Sequence, residues 1–495
     1  MPRKTIKPTN YRWVVCVMLF VATMIAYMDR QVLSLTWKDF IAPQFAWTDA
    51  DYGVITAFFS ITYAVVMLFA GKFIDWRGVK SGYTWAVAIW SLGAMMHAFC
   101  GVATCGLLTG EWFVGFDGAR ETLHDAATVM LPISTVSIYL FMVCRLVLGI
   151  GQAANFPAAI KATVDYFPKK DRAFATSIFN AGASVGALLA PLSIPLIASH
   201  FGWETAFLTV GALGYVWMIV WLIFYKSPQK NSRVNQSEFE YIYQDEDEEL
   251  TNQGIVDEGP RMSIRKCLTY RQAWAFIFGK FMTDGVWWFF LFWTPAYLSD
   301  QYGYSSDSNM GMTLIVVLYL ITMLSIAGGY LPTYFVDRYS NKPYQARMKA
   351  MFYFSCIQLI GFMAQPLGDV SPWLLVFVIG VLGAGHQAWS ANIFSMVGDL
   401  FPRRAVATVV GLGGCAGGVG SFLVNIGSGS LLSYAEEMGE LFTFLSYTGK
   451  HAAYMIIFCI CAIAYIIGWM VMKLMVPRYT PVVVKQTKEG MVKKS

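Results

Sequence analysis

Charged side chains are scarce in this sequence. Asp, Glu, Lys and Arg make up 14% of its 495 residues, against about 25% in a typical soluble domain, which is too little to coat a water-facing surface. With 56% hydrophobic residues the chain is not disordered, no collagen-like period runs through it, and a net charge of +5 is no footprint for a nucleic acid. Histidine occurs five times, and the nine cysteines have no ligand-like spacing, so neither a metal site nor a cofactor is expected. Cys16, Cys144, Cys356, Cys415, Cys459 and Cys461 lie inside apolar runs and read as small buried hydrophobes. Cys100 and Cys105 stand where such a run ends and are close enough in sequence to pair, although packing is the simpler reading. Catalytic signatures are missing as well: no nucleophile elbow, His-Glu-x-x-His or phosphate loop is present, so no enzyme is expected.

Apolar length is what the chain does have. Runs at about 12–35, 51–71, 81–101, 133–160, 173–199, 205–225, 272–298, 311–336, 347–366, 372–398, 405–433 and 452–476 are each long enough to cross a bilayer. The first, from Tyr11 to about Leu35, is too long for a signal-peptide core and reads as a retained span. The stretch 101–119 holds Glu111 and Asp117 and is expected to stay outside the membrane. Of the 36 Lys and Arg, three (Arg30, Arg145, Lys280) fall in span interiors, three (Lys38, Arg120, Lys450) in odd-numbered loops, and the other 30 in even-numbered loops, the tails or the span ends that adjoin them (Arg12, Arg347, Lys349, Lys473). The positive-inside rule therefore places both termini in the cytoplasm and favours twelve spans over thirteen.

The spans divide six and six. An N-terminal bundle is expected over residues 1–226, a cytoplasmic linker over 227–271, a C-terminal bundle over 272–476, and a basic tail over 477–495. The acidic run at 245–249 marks the linker as solvated, and the tail, with Lys485, Lys488, Lys493 and Lys494, is expected to lie against anionic headgroups. Asp165-Tyr166-Phe167-Pro168 after span four returns as Asp399-Leu400-Phe401-Pro402 after span ten, and Asp75 after span two as Asp337-Arg338 after span eight. Two related bundles with a substrate site between them at mid-bilayer are a common plan for secondary transporters. The first half carries an insert at about 102–130, expected on the extracytoplasmic face as decoration or as a lid. Gly182 and Gly186 in span five, with Gly413, Gly414, Gly417, Gly418 and Gly420 in span eleven, form small-residue faces read as sliding surfaces for alternating access.

Ionisable residues inside spans are candidate functional groups. Asp29 and Arg30 end span one, Arg145 lies in span four, and Lys280 and Asp284 lie one turn apart in span seven, where an ion pair is the simple reading. Asp29 beside Arg30, and able to face Arg145, is a candidate proton-coupling carboxylate, with Asp284 as a second. Arginine's planar fork suits a substrate carboxylate, so the cargo is expected to be a small organic anion. Tyr63, Gln152, Asn155, Asn180, Lys280, His386, Gln387, Trp389, Ser390, Asn392 and Asn425 supply further polar groups at membrane depth for substrate binding.

Gly71-Lys72-Phe73-Ile74-Asp75-Trp76-Arg77-Gly78-Val79-Lys80 resembles the loop signature of the major facilitator superfamily, departing from it at Trp76 and Val79. Asp29-Arg30, Arg145 followed by Gly149-Ile150-Gly151-Gln152-Ala153-Ala154-Asn155-Phe156-Pro157, and Phe179 to Gly186 look like the anion:cation symporter family. Lys280 to Asp284 running into Trp287-Trp288, and His386-Gln387-Ala388-Trp389-Ser390-Ala391-Asn392, are similar to bacterial hexuronate transporters. The resemblance implies an all-α membrane protein of twelve transmembrane helices in two pseudo-symmetric six-helix bundles, in a bacterial inner membrane. It further implies import of glucuronate or galacturonate with protons, by a monomer. Gly71, Asp75, Arg77 and Gly78, with Asp337 and Arg338, are then the cytoplasmic gate, Asp75 holding it closed through basic groups and a neighbouring helix N-terminus. Gln152 stands where many members carry glutamate, which leaves proton coupling to Asp29 and Asp284. Another organic anion (an aldonate, glucarate or a sulfonate) and a transporter-like receptor are the alternatives.

Overall fold

The computed structural model describes residues 8–47, 49–127, 132–244, 262–304, 308–339 and 342–482. Twelve long helices run through them: α1 Tyr11–Thr36, α2 Asp49–Arg77, α3 Val79–Thr109, α4 Ile133–Tyr166, α5 Arg172–Phe201, α6 Trp203–Phe224, α7 Arg271–Tyr302, α8 Asn309–Arg338, α9 Pro343–Val370, α10 Pro372–Leu400, α11 Val406–Met438 and α12 Gly449–Met475. Among the described residues, all but α7 are long and apolar enough by composition to cross a membrane. Helix α7 carries Lys280 and Asp284 one turn apart. It packs against α10, α11 and α12, which cover those charges. The outer faces are apolar too: Val17, Ile61, Phe69, Ile219, Phe377 and Ile460 are exposed, as a hydrocarbon solvent requires.

The packing repeats in the two halves. Helix α1 lies on α5 as α7 lies on α11, α3 on α4 and α6 as α9 on α10 and α12, and α2 on α4 as α8 on α10. The halves meet through two equivalent pairs, α2 with α11 and α5 with α8. Gly78 (φ 78°) and Gly202 (φ 86°) turn the chain between α2 and α3 and between α5 and α6, a conformation open to glycine without strain. In α4 the ladder breaks between Gln152 and Asn155, because Pro157 has no N–H to offer the carbonyl of Ala153.

Several expectations change. Helix α3 runs on to Thr109 through one tight turn at His97–Phe99, so the insert begins as a helical extension of that span. The insert then forms a helix over Phe116–Ala127 whose Arg120 pairs with Glu204 in the first turn of α6. Residues 128–131 and the His124 side chain lie outside the described residues. No disulfide joins Cys100 to Cys105: Cys100 Sγ faces Cys144 Sγ at 3.6 Å, and all nine cysteines are free.

The linker is not wholly solvated. Its helix Gln236–Ile242 docks on the start of α1, where buried Glu238 accepts hydrogen bonds from the Tyr11 and Arg12 amides at 3.1 and 3.0 Å and pairs with the Arg12 guanidinium at 3.1 Å. The acidic run 245–249 lies outside the described residues. The tail likewise begins on protein rather than on headgroups, with the Val482 amide donating to the Leu400 carbonyl at 2.7 Å; its basic end, 483–495, lies outside the described residues. The glycine faces also divide. A Cβ at Gly182 or Gly186 would strike the Phe20 or Met24 carbonyl of α1, within one half, whereas Gly411, Gly414 and Gly418 bring α11 onto Met67 and Ala64 of α2 across the halves. On the α5 side the close approach of the halves uses Gly329 of α8 against Ser177.

Candidate functional site

Two clusters of buried charge face each other at mid-bundle. In the first half, Asp29 of α1 is 2% exposed, and both Arg30 and Arg145 act on it electrostatically. The Arg30 guanidinium lies over the rings of Tyr63 at 4.6 Å and Tyr27 at 4.9 Å, and that of Arg145 over Phe59 at 5.4 Å, so both cations face aromatic π-clouds, while neither Asp29 oxygen has a hydrogen-bond partner among the described residues. Gln152 orients Arg30: its Oε1 accepts from Arg30 Nε at 2.8 Å, while its Nε2 donates to the Ala26 carbonyl at 3.1 Å. Arg30 Nη2 is buried with no hydrogen-bond partner among the described residues.

In the second half, Lys280 Nζ pairs with Asp284 at 2.7 Å, as the one-turn spacing suggests. The Asp284 carboxylate rests on Gly417 of α11, where a Cβ would collide with it. His386 stacks on Trp287 (5.2 Å, 5° between planes), and its Nδ1 meets the Tyr465 hydroxyl at 2.5 Å. Tyr27 lies within electrostatic range of Asp284, which joins the two clusters.

Other sequence-selected residues are placed differently. Asn155 turns into the first bundle, accepting from the Tyr83 hydroxyl, and Trp389 packs on Tyr465 inside the second. Asn180 is 1% exposed, both its amide atoms lack partners among the described residues, and it shares a face of α5 with Ser177 and Ser184, which meet α8. Asn392 donates to the Ala388 carbonyl at 2.8 Å, and Gln387 and Ser390 are each 5% exposed. The Asn425 side chain lies outside the described residues.

Toward the loops at 75–79, 165–171 and 399–405 the site has an aromatic floor. Phe156 of α4 stacks on Phe394 of α10 across the halves at 5.7 Å, and Lys280 Nζ sits 4.2 Å from the Phe394 ring. Phe59, Phe156 and Phe394 escape sequence reasoning because nothing but tertiary position separates them from 33 other phenylalanines.

Below that floor the two halves are locked. Asp75 at the end of α2 caps α11: Oδ2 accepts from the Thr408 amide and hydroxyl, each at 2.7 Å, and Oδ1 from the Ala407 amide at 3.3 Å. Gly71 lets the helices meet there, since a Cβ would strike the Ala407 carbonyl. Arg77 lies over Trp76 at 5.3 Å, and Arg338 is exposed. Asp337, the repeat counterpart of Asp75, is exposed and pairs only loosely with Lys170 at 3.7 Å. The stronger lock on that side is Asp399, which binds Arg172 of the first half at 3.3 Å and Arg347 of α9 at 2.9 Å, while Arg347 also donates to the Lys169 carbonyl. Arg347 opens span nine, where a basic residue reads only as a topology mark. At the opposite end, the first half has a separate apolar cluster around Leu33, Phe45, Phe141 and Trp203 that includes no residue of the second half. The bundle is closed at the loop end.

The comparisons agree with this architecture. The family model described as Major Facilitator Superfamily matches residues 19–425. A hexuronate transporter of Escherichia coli (strain K12) is 27% identical over 426 residues, covering 86% of this chain and 88% of the relative. A galacturonate transporter of Dickeya chrysanthemi is 28% identical over 330 residues, covering 66% and 84%. Among solved structures, the proton:xylose symporter XylE bound to 6-bromo-6-deoxy-D-glucose superposes with a TM-score of 0.66 at 14% identity, over 93% of this chain and 96% of that one. With a matching family model across most of its length and paired six-helix bundles closed over a charged centre, the chain is a multi-pass membrane transporter, not an enzyme, and belongs to the Major Facilitator Superfamily.

Proposed function

We propose that the protein imports a hexuronate such as glucuronate or galacturonate by proton symport with alternating access. The observation that carries this reading is buried Asp29 within electrostatic range of both Arg30 and Arg145, with neither its oxygens nor Arg30 Nη2 hydrogen-bonded among the described residues and Arg30 Nε held by Gln152. A substrate carboxylate would take Arg30 Nη2 beside Tyr63, and Asn180, Gln387, Ser390 and Asn392, buried on α5 and α10, would serve the sugar hydroxyls. Proton binding at Asp29 removes the charge that competes for the two arginines, so proton and anion are taken up together. Asp284, held by Lys280, is the second carrier. With Asp75 and Asp399 closing the loop end, which the basic residues assign to the cytoplasm, the conformation corresponds to an outward-facing step. The named relatives support a sugar acid as cargo. They are transporters of hexuronate and of galacturonate, and an aldonate is the second reading.

The test is uptake of labelled glucuronate into proteoliposomes with an inward proton gradient, with competition by galacturonate, galactonate and glucarate. Uptake is expected to collapse with a protonophore and with Asp29→Asn, and to be inhibited best by hexuronates. Stronger inhibition by galactonate moves the substrate to an aldonate; uptake that survives both the protonophore and Asp29→Asn rules out the coupling assignment.

A further inference from the structure

The hydroxyl of Tyr465 in α12, to which no role in transport has been given, touches the centre of the second cluster. It meets His386 Nδ1 at 2.5 Å and, on its other side, the Thr283 carbonyl of α7 at 3.2 Å. A hydroxyl has one proton to give, and a carbonyl only accepts. When the proton goes to Thr283, the oxygen is left to accept from an Nδ1–H and two hydrogen bonds form. When it goes to Nδ1, only one forms, so the first arrangement is favoured by a hydrogen bond. With the Lys280 ammonium already within electrostatic range of the ring, the uncharged imidazole is the form that adds no repulsion. An uncharged ring protonated at Nδ1 has a bare Nε2.

The surroundings of Nε2 narrow what it meets. Nδ1 points at α12, so Nε2 lies on the side of the ring away from α12, and it makes no hydrogen bond among the described residues. The stack on Trp287 fixes the ring there. A Cβ at Gly383, one turn before His386, would touch both the Trp287 ring and Thr322 of α8, and Thr322 in turn donates to Ser184 of the first half at 3.2 Å. The stack therefore stands at the seam of the halves, and one turn along α5 from Ser184 is Asn180, with both amide atoms unpartnered among the described residues. Lys280 is already paired with Asp284 at 2.7 Å. A bare nitrogen beside a neutralised lysine accepts from a hydroxyl and repels a carboxylate oxygen.

We propose that Tyr465 is a positioning residue for substrate selection: by holding His386 in the Nδ1–H form it presents Nε2 as a hydroxyl acceptor, so that the protein takes an anion with one carboxylate and rejects a dicarboxylate. The proposal rests on the organic-anion reading, in which Arg30 takes the carboxylate in the first half and the opposite end of the molecule reaches the second. A hexuronate or an aldonate brings a hydroxyl to that end. An aldarate brings a second carboxylate, which finds no donor on His386 and leaves the acceptor unmatched.

Two measurements test it. The first is solid-state nitrogen NMR of the full-length protein in liposomes with isotope-labelled histidine rings; the chain has five histidines, so His386→Gln identifies the signal by subtraction. The second is competition against labelled glucuronate uptake by galactonate and by glucarate. Wild type is expected to show a protonated Nδ1 and a bare Nε2, and to prefer galactonate over glucarate. Tyr465→Phe keeps the ring and removes only the hydroxyl. It should bring up the Nε2–H form and reduce that preference by about tenfold, what one hydrogen bond to a charged group is worth. It should also raise the KM for glucuronate more than it lowers the maximal rate, with the unfolding temperature near that of wild type. Where glucuronate is not carried at all, the hexuronate reading fails, and protection against thermal unfolding by galactonate and by glucarate takes the place of competition. A protonated Nε2 in wild type, equal binding of the two acids by wild type, or an unchanged preference in Tyr465→Phe overturns the proposal.

Discussion

Gln152 determines how much of Arg30's charge is left for an anion. Its neutral Oε1 fixes the guanidinium at 2.8 Å without cancelling it, whereas a carboxylate there would neutralise Arg30 while ionised. Gln152→Glu is therefore expected to weaken anion binding at neutral pH, by roughly 10-fold or more given about 1.5–3 kcal/mol for a charged hydrogen bond. Binding should recover as the pH falls and the new carboxyl takes up a proton. A calorimetric titration with glucuronate at two pH values checks both the size and the sign. Gly417→Ala probes the other cluster. Its methyl group lands on the Asp284 carboxylate and should separate Asp284 from Lys280, lowering transport more than it lowers the unfolding temperature. Equal losses in both would mean a packing defect alone.

The α2–α11 contact holds the loop end closed through a small residue and a cap acting together. Gly71 permits backbone contact at Ala407, and that closeness brings Asp75 within reach of two amides and a hydroxyl. Replacing Asp75 by Ala removes a helix cap, a loss of about 0.5–2 kcal/mol, and Gly71→Val removes the approach the cap needs. Both variants are expected to speed hydrogen exchange at the Ala407 and Thr408 amides; unchanged protection in Gly71→Val would show that the contact tolerates a side chain. The linker helix offers a parallel case. Glu238, 0% exposed, satisfies the first amides of α1 and the Arg12 guanidinium, so Glu238→Ala strands a buried cation and should lower stability by about 3–5 kcal/mol, read as a fall in unfolding temperature. The signature loop and its Asp75–helix cap were legible in the sequence because the motif is contiguous. Glu238 was not, because its partners lie more than 220 positions away, and a lone glutamate near an acidic run reads as solvated surface.

At the scale of the molecule, the two halves are fastened by different chemistry on their two equivalent seams. The α2–α11 seam uses Asp75 as a cap, whereas Asp337 at the matching place stays exposed and the α5–α8 side relies on Asp399 with Arg172 and Arg347. Asp399→Asn leaves two buried guanidiniums with a neutral partner and should open the loop end. The expected result is faster exchange across residues 398–408 and a shift toward inward-facing molecules, with the apolar cluster around Phe45 and Trp203 unaffected. Protection lost equally in that cluster would mean global unfolding instead.

The sequence by itself determined the class of molecule, the twelve spans, the twofold repeat and which charges interrupt the apolar runs. Hydrophobic length and the placement of basic residues are one-dimensional quantities, and the bilayer imposes them on the chain before any tertiary contact forms. Only the tertiary structure decided which of the polar side chains share a site. Asn155 and Trp389 turn into their own bundles, whereas Asn180 shares a face of α5 with Ser177 and Ser184, which meet α8 of the other half. In a helix, whether a residue faces the partner bundle or its own is a rotation of about 100° per position, and in spans that are apolar on every side no sequence pattern reports that angle. Helix packing sets it, through contacts such as Gly71 on Ala407 and Gly417 on Asp284, where the absence of a side chain brings two distant parts of the chain together.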